Sequence, residues 1–293
     1  MIQKKLTGTG VAIVTPFKGS GIDFQALGKL VDFQIKNKVD YIVVLGTTGE
    51  SVTLSKDEKV AVVDYVVEEV NKRVPVVLGL GGNNTQEIIH GFSTFDLSGI
   101  DAILSVSPYY NKPTQKGIYQ HFRAIANASP LPILLYNVPA RTSSNMTSDT
   151  TLKLAHDFEN IIGIKEAAGN LDQCAEIVKG RPKNFLVISG DDAMTLPFIS
   201  LGADGVISVA GNAFPKEMSN LTRLALDDQY TKARNQHLQL LDIFRLLFVE
   251  GNPGGIKAAL EIKGLCANNL RLPLVPVGRT TYNKIAAAIE ALN

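Results

Sequence analysis

Short runs of apolar, β-branched residues recur along the chain and alternate with longer segments that have helical spacing. Eight such runs are found, at positions 11–15, 41–45, 76–78, 102–106, 133–136, 161–165, 186–189 and 205–209. Between them apolar side chains recur every three or four positions, for example at Phe24, Leu27 and Val31, as on the buried face of a helix. Eight alternating units predict an α/β fold, a parallel (β/α)8 TIM barrel.

A doubly wound parallel sheet is the alternative for this pattern. That fold calls for a glycine-rich first turn, which is missing here. The stretch Gly79-Leu80-Gly81-Gly82 has Asn84 in place of the last glycine of a dinucleotide-binding fingerprint. The sequence therefore favours the barrel and gives no indication of a dinucleotide site.

The strand pattern stops at about residue 212, and the segments 229–249, 253–266 and 279–292 have helical spacing. We therefore predict a catalytic barrel over residues 1–212 and a C-terminal helical extension over 213–293, packed together as one structural unit. Two of the barrel helices begin with the sequence of a capping box, Ser55 with Glu58 and Asn84 with Glu87.

Composition and charge exclude several functional classes. The chain has 29 Lys and Arg against 28 Asp and Glu, a net charge of +1, and no basic stripe of the kind that binds nucleic acid. The N-terminal segment lacks the apolar core of a secretory signal, and no apolar run is long enough to cross a bilayer. We expect a cytoplasmic protein without nucleic-acid or membrane partners. The two cysteines and four histidines are isolated from one another, so no metal site is expected.

Polar residues gather where the predicted strands end. In a parallel barrel these ends form one rim, and that rim carries the active site. The second strand is followed by Gly46-Thr47-Thr48-Gly49, the fourth by Tyr109 and Tyr110, the fifth ends at Tyr136 before Arg141, and the sixth ends at Lys165. We expect these side chains to converge. Asp191 and Asp192 follow the seventh strand, where many barrels bind phosphate, which disfavours a phosphorylated substrate.

Lys165 is the most informative residue because it ends a buried apolar strand on an amine. An amine attacks a carbonyl only when neutral, and burial favours the neutral form of a lysine. Strand alternation places Gly163 and Lys165 on the inner face, with Ile162, Ile164 and Glu166 outside. Gly163 would then leave room for the lysine stem, and Glu166 would be too far away to pair with it. The competing interpretation is a structural ion pair.

Other rim residues allow two interpretations each. The Gly46-Thr47-Thr48-Gly49 turn has hydroxyl and N–H groups suited to a carboxylate, but it is equally typical of an ordinary turn. Tyr136 is the best acid–base candidate, although buried tyrosines more often only accept or donate a structural hydrogen bond. Arg141 suits a substrate carboxylate or a surface salt bridge.

Four motifs together resemble the dihydrodipicolinate synthase family, within the pyruvate-dependent class I aldolase and lyase superfamily. They are 46–50 (Gly-Thr-Thr-Gly-Glu), 108–111 (Pro-Tyr-Tyr-Asn), 136–142 (Tyr-Asn-Val-Pro-Ala-Arg-Thr) and 163–167 (Gly-Ile-Lys-Glu-Ala). The resemblance implies that Lys165 forms an imine with pyruvate, which then attacks L-aspartate-4-semialdehyde without any cofactor. It also implies a proton relay of Thr47, Tyr136 and Tyr110, with Tyr110 supplied by a neighbouring subunit of a homodimer or homotetramer. The resemblance assigns Thr48 to the pyruvate carboxylate and Arg141 to the carboxylate of the semialdehyde. Gly190 and Ile207 would line the pocket.

Two alternatives remain open. N-acetylneuraminate lyases and 2-keto-3-deoxy-sugar-acid aldolases share the lysine and the tyrosine but generally lack an arginine corresponding to Arg141. A barrel without activity that binds small carboxylates is the third interpretation.

The chain departs from the family pattern in two places. Gly254-Gly255 stands where members often have Ile-Pro, which affects packing in the extension. An allosteric lysine site is implied at Ser51, Asn83, Glu87 and Tyr109. Lys56 and Lys59 stand beside it where lysine-sensitive bacterial enzymes often carry histidine. Because two cations repel a cationic ligand, we expect feedback by lysine to be weak or absent.

Overall fold

Eight parallel strands form a closed barrel in the computed structural model, which describes residues 2–292. Each strand pairs with the next along the chain and the last pairs with the first, so the predicted (β/α)8 fold is confirmed. The strands are β1 Gly8–Ala12, β2 Tyr41–Val44, β3 Val76–Gly79, β4 Ala102–Val106, β5 Ile133–Asn137, β6 Ile161–Glu166, β7 Leu186–Ser189 and β8 Gly205–Ser208.

Helices cover the outside of the barrel. The principal ones are α1 Phe24–Lys36, α2 Lys56–Val70, α3 Thr85–Gly91, α4 Gln115–Ala128, α5 Ser148–Asp157, α6 Leu171–Gly180, α7 Thr195–Ser200 and α8 Pro215–Leu226, followed by α9 Tyr230–Leu246, α10 Gly254–Ile262 and α11 Arg279–Glu290. Single helical turns occur at Ile2–Lys5, Thr47–Gly49, Ser51–Thr53, Pro139–Thr142, Asp192–Met194 and Ala210–Asn212. None of the helices within residues 2–292 combines the length and the apolar composition that a membrane crossing requires.

The first strand lies three residues earlier than predicted, and a small hairpin of Phe17–Lys18 and Gly21–Ile22 was not predicted. The strand begins with Gly8-Thr9-Gly10, which lacks an apolar pattern. Gly10 is required by packing, because a Cβ atom there would lie 2.2 Å from Cε2 of Tyr41. The contact with Tyr41 on the neighbouring strand therefore requires a glycine at position 10, and a search for apolar residues does not recognise this segment as a strand.

Helix capping follows the sequence at one predicted site and differs at the other. Ser55 and Glu58 form the complete capping box at the start of α2. At the start of α3, Asn84 accepts a hydrogen bond from the Gln86 N–H instead of from Glu87. Both arrangements satisfy N–H groups that the first helical turn leaves unpaired.

Strand β6 contains an irregularity that changes which residues face inward. Its register with β5 shifts after Ile161, so that Ile133 pairs with Ile161 but Leu134 pairs with Gly163. As a result Ile162 lies in the core inside the barrel, and the prediction that it faces outward is wrong. Ile164 does lie in the layer between strands and helices. A bulge places an extra residue in one strand and breaks strict alternation.

The extension covers one side of the barrel. Helix α9 packs on α8 and α11, and α10 packs on α11. Helix α8 itself contacts β1 and β8, as the helix of the eighth strand-helix unit. The division into two parts at residues 212 and 213 stays a prediction. In α10, Gly255 is in close contact with Leu247, the residue that follows α9, because a Cβ atom at position 255 would lie 2.3 Å from the Leu247 carbonyl oxygen. The Gly254-Gly255 departure is thus accommodated by close helix packing.

Candidate active site

A cavity of about 260 Å³ opens at the carboxyl ends of the barrel strands. Its walls come from the strands themselves and from the segments that follow them, at the rim where the strand ends of a parallel barrel meet. Lys165, Tyr136, Thr47 and Arg141 line it together, as expected from the sequence. The remaining lining residues are Ala12, Leu45, Gly46, Ser51, Val52, Gly79, Gly81, Leu104, Val106, Tyr109, Val138 and Thr142.

Lys165 lies on the floor of this cavity with 6% of its surface exposed. Its Nζ atom is 4.3 Å from the centroid of the Tyr136 ring, and Tyr136 is itself 7% exposed. None of the ion pairs formed among residues 2–292 includes Lys165. The amine is therefore held against an aromatic face rather than beside a carboxylate.

Glu166 lies on the outer side of the strand, as predicted. Its carboxylate accepts hydrogen bonds from Asn137 Nδ2 at 3.0 and 3.1 Å, from Gln173 Nε2 at 2.8 Å and from the Ala168 N–H at 2.7 Å. Burial raises the pKa of Glu166, and these hydrogen bonds oppose the rise. Asn137 and Glu166 also pair in register, next to Tyr136 and Lys165. This buried polar cluster fixes the ends of β5 and β6 from outside.

The space for the lysine side chain is provided by Gly190 rather than by Gly163. A Cβ atom at Gly190 would lie 3.0 Å from Lys165 Cε and 3.1 Å from Cγ. A Cβ atom at Gly163 would instead meet Leu186, 2.7 Å from its Cβ and from its carbonyl oxygen. The explanation given above for Gly163 is therefore wrong, and Gly190 has a direct steric role beside Lys165. Ile207 is fully buried in the core inside the barrel, and neither Ile207 nor Gly190 is part of the cavity lining.

The turn after β2 carries the two threonines in different environments. Thr47 is exposed and lines the cavity. Thr48 is 2% exposed, and its Oγ1 atom accepts a hydrogen bond of 3.0 Å from Nδ2 of Asn252 in the extension. The turn is closed by a hydrogen bond from the Gly49 N–H to the Gly46 carbonyl oxygen. Thr48 thus lies next to a lining residue but is not part of the cavity lining, and the extension holds its side chain.

A buried ion pair holds the end of this turn. Glu50 has φ 52°, and its Oε1 atom accepts from Lys257 Nζ at 2.5 Å, with both side chains fully buried. Lys257 also donates to the Asn269 carbonyl oxygen at 2.7 Å, and the Arg271 N–H donates to Glu50 Oε2 at 3.1 Å. Burial lowers the pKa of Lys257, and Glu50 opposes that. Sequence reasoning missed this pair, although a lysine within the apolar segment 254–262 signals a buried partner.

The tyrosines of the loop after β4 take separate positions. Tyr109 is half-buried and lines the cavity. Tyr110 has φ 69° and is 89% exposed, and it is not part of the cavity lining in this chain. Arg141 is exposed at the cavity mouth and takes part in none of the ion pairs within the described part of the chain.

A second cavity of about 370 Å³ lies beside the first. All six residues predicted for an allosteric site line it: Ser51, Lys56, Lys59, Asn83, Glu87 and Tyr109. Ser51 and Tyr109 line both cavities. His90 also lines the second cavity. The two cavities therefore share a wall.

Chemically, the first cavity combines an amine, a phenol and a threonine hydroxyl. A buried amine without a carboxylate partner suits attack on a carbonyl carbon, and a neighbouring phenol suits proton transfer. Within residues 2–292, no group of three or more His, Cys, Asp or Glu side chains is placed to hold a metal ion.

Comparison with known proteins agrees with this chemistry. A sequence model of the dihydrodipicolinate synthetase family matches residues 5–292. The 4-hydroxy-tetrahydrodipicolinate synthase of Parabacteroides distasonis is 53% identical over 294 residues, covering 100% of this chain and 99% of that protein.

Two solved structures are also similar to this chain in fold and sequence. The dihydrodipicolinate synthase of Aquifex aeolicus has a TM-score of 0.94 and 43% identity, covering 97% of each chain. The enzyme of Cyanidioschyzon merolae, solved with lysine bound, has a TM-score of 0.95 and 40% identity, covering 98% of each chain.

Proposed function

The chain belongs to the dihydrodipicolinate synthetase family, and we propose that it condenses pyruvate with L-aspartate-4-semialdehyde to give 4-hydroxy-tetrahydrodipicolinate. It is a lyase of the class I aldolase type, and the reaction belongs to the biosynthesis of diaminopimelate and lysine. The observation that carries the proposal is the buried amine of Lys165, 4.3 Å from the centroid of the Tyr136 ring. The relatives and structures reported above all carry the name of this synthase, and none carries that of either alternative.

The reaction starts at Lys165. Its neutral amine attacks the keto carbon of pyruvate to form a carbinolamine, and loss of water gives the imine. Loss of a methyl proton converts the imine into an enamine, whose carbon attacks the aldehyde carbon of the semialdehyde while the aldehyde oxygen takes up a proton. The amine of the semialdehyde then attacks the imine carbon, closes the ring and releases Lys165. No cofactor takes part in these steps.

Proton transfer is assigned to Tyr136 with Thr47 and with Tyr110 of a neighbouring subunit. Tyr136 and Thr47 line the same cavity, which supports proton transfer between these two residues. The 89% exposure of Tyr110 supports its role in the site of a neighbouring subunit, because an exposed aromatic side chain is available to a partner. We accordingly expect a homodimer or homotetramer as the active form.

Two side chains are assigned to substrate carboxylates. Thr48 binds the carboxylate of pyruvate, together with N–H groups of its helical turn, since the first N–H groups of such a turn have no partner within it. Arg141 binds the carboxylate of the semialdehyde at the mouth, where it lies free of protein carboxylates within the described chain. Gly190 and Ile207 are assigned to the substrate pocket, and for Gly190 the steric contact with Lys165 supports this.

The second cavity is the proposed regulatory site. The Cyanidioschyzon merolae enzyme was solved with lysine bound, and the six residues predicted for such a site lie together in this cavity. Two cationic side chains, Lys56 and Lys59, line this cavity with a single carboxylate, Glu87. We infer that this chain responds weakly to lysine or not at all.

Substrate identity is tested by NMR turnover with two substrate sets, pyruvate with L-aspartate-4-semialdehyde and N-acetylneuraminate alone. We expect consumption of pyruvate and semialdehyde together and an unchanged N-acetylneuraminate spectrum. Cleavage of N-acetylneuraminate without condensation would replace the proposal by the lyase alternative. Binding of pyruvate without turnover of either set would favour the carboxylate-binding alternative.

A further inference from the structure

Two side chains of the C-terminal extension hold the turn that carries Thr48. Asn252 donates from Nδ2 to Thr48 Oγ1 at 3.0 Å, and Lys257 pairs with Glu50 at 2.5 Å. The partners are separated by 204 and 207 residues in the chain. Asn252 is 6% exposed and Thr48 is 2% exposed, so water does not compete freely for their contact. The extension therefore acts directly on the turn proposed to bind the pyruvate carboxylate.

The direction of the Asn252 hydrogen bond has a chemical consequence. A threonine hydroxyl can both donate one proton and accept, whereas a carboxylate only accepts. Because the Asn252 amide donates to Thr48 Oγ1, the hydroxyl proton is left for a different acceptor. We propose that Asn252 is a positioning residue that presents the Thr48 hydroxyl as a donor to the substrate carboxylate. This inference rests on the proposed function of Thr48.

Without the Asn252 amide, the Thr48 hydroxyl can donate its proton to acceptors other than the substrate. Threonine hydroxyls in helical turns readily donate to nearby backbone carbonyl groups. A side chain at 252 that accepts a proton would take the hydroxyl proton away from the substrate, and a charged one would also repel the substrate carboxylate. The identity of the group at 252, and not only its size, should therefore set the affinity for pyruvate.

The experiment measures imine formation as a function of pyruvate concentration, by borohydride reduction and mass analysis of the peptide that contains Lys165. The variants are Asn252→Ala and Asn252→Asp, which is nearly isosteric. We expect the half-saturating pyruvate concentration to rise about 3- to 10-fold in Asn252→Ala, the effect of one hydrogen bond. It should rise further in Asn252→Asp, with full labelling still reached at high pyruvate.

Glu250→Gln is the matched control. Glu250 belongs to the same extension and accepts from the Gly278 N–H at 2.9 Å, away from Thr48. Its variant should keep the wild-type half-saturation, which separates a general disturbance of the extension from the specific effect. Thr48→Val and the double variant Asn252→Ala with Thr48→Val complete a cycle. The double variant should be no worse than Thr48→Val alone, since Asn252 acts through Thr48.

Failures of the two proposals are distinguishable. If wild type is labelled at Lys165 and both Asn252 variants keep its half-saturation, Asn252 has no positioning role while the synthase mechanism stands. Additive losses in the double variant would lead to the same conclusion. Absence of wild-type labelling at Lys165 would overturn the imine mechanism, and this inference with it.

Discussion

Lys165 and Tyr136 are register partners on adjacent strands β6 and β5, and the lysine Nζ lies 4.3 Å from the centroid of the tyrosine ring. Side chains of paired residues project to the same face of a sheet, which here is the inside of the barrel. The ring covers the amine, and both residues line the same cavity. One strand pairing therefore places a nucleophile and an acid–base group together.

Tyr136→Phe separates the ring from the hydroxyl. The phenyl ring still covers Lys165, so we expect imine trapping with pyruvate to persist. Loss of the proton-transfer group should lower kcat about 100- to 10,000-fold. Steady-state kinetics measure the change, with Tyr119→Phe as the control, because the Tyr119 hydroxyl donates to Asp157 and neither residue lines the cavity. A kcat within a few fold of wild type would remove Tyr136 from the relay.

Arg141→Ala tests the assignment of the second substrate carboxylate. Removing a charged hydrogen-bond donor should raise the KM for L-aspartate-4-semialdehyde about 10- to 100-fold and leave the KM for pyruvate unchanged. The control is Arg123→Ala, whose guanidinium contacts the surface residue Gln120. Equal KM values for the semialdehyde in all three proteins would mark Arg141 as an ordinary surface residue.

Lysine concentrations up to about 1 mM should leave the condensation rate of wild type unchanged, because Lys56 and Lys59 repel a cationic ligand. The double variant Lys56→Ala with Lys59→Ala removes both charges from the second cavity and should become more sensitive. Lys116→Ala, on α4 and outside this cavity, is the control. Inhibition of wild type by sub-millimolar lysine would contradict the expectation.

Asp192 predicts a particular pH dependence of stability. Burial raises its pKa from 3.8 to about 6, with the charge of Asp191 adding to the rise, while hydrogen bonds from Ser208 and backbone N–H groups oppose it. The native state therefore binds the proton more tightly than the unfolded chain. The resulting stabilisation is present below about pH 4 and is lost as the pH rises through about 6.

The size of this effect follows from the shift, at about 1.4 kcal/mol per pH unit, or about 3 kcal/mol in all. Urea unfolding of wild type and Asp192→Asn from pH 4 to 7 measures it. The advantage of wild type over the variant should shrink across this range. Parallel stability curves for the two proteins would show that Asp192 is ionised in both the native and the unfolded state.

Local sequence was sufficient for the barrel and for the meeting of Lys165, Tyr136, Thr47 and Arg141 in one cavity. Strand periodicity located Lys165 and Tyr136 at neighbouring strand ends, and a barrel brings such ends together. Contacts between residues far apart in the chain cannot be predicted from strand periodicity. The contacts of Asn252 with Thr48 and of Lys257 with Glu50 cross more than 200 positions, and no short-range pattern links them.

Two further details depend on three-dimensional packing. Ile162 faces the inside of the barrel because the register between β5 and β6 shifts, and composition alone does not reveal this shift. The space beside Lys165 comes from Gly190 on the next strand's loop, so the nearest glycine in sequence was the wrong choice. Both depend on which residues of neighbouring segments meet.

The central claim is that the amine of Lys165 forms a covalent imine with pyruvate. Borohydride reduction of wild type with pyruvate, followed by peptide mass analysis, should add one reduced pyruvate to Lys165 and none to the buried Lys257. Lys165→Ala should acquire no label and lose condensation in the NMR assay. Condensation by the alanine variant, or an unlabelled Lys165 in active wild type, would contradict the account.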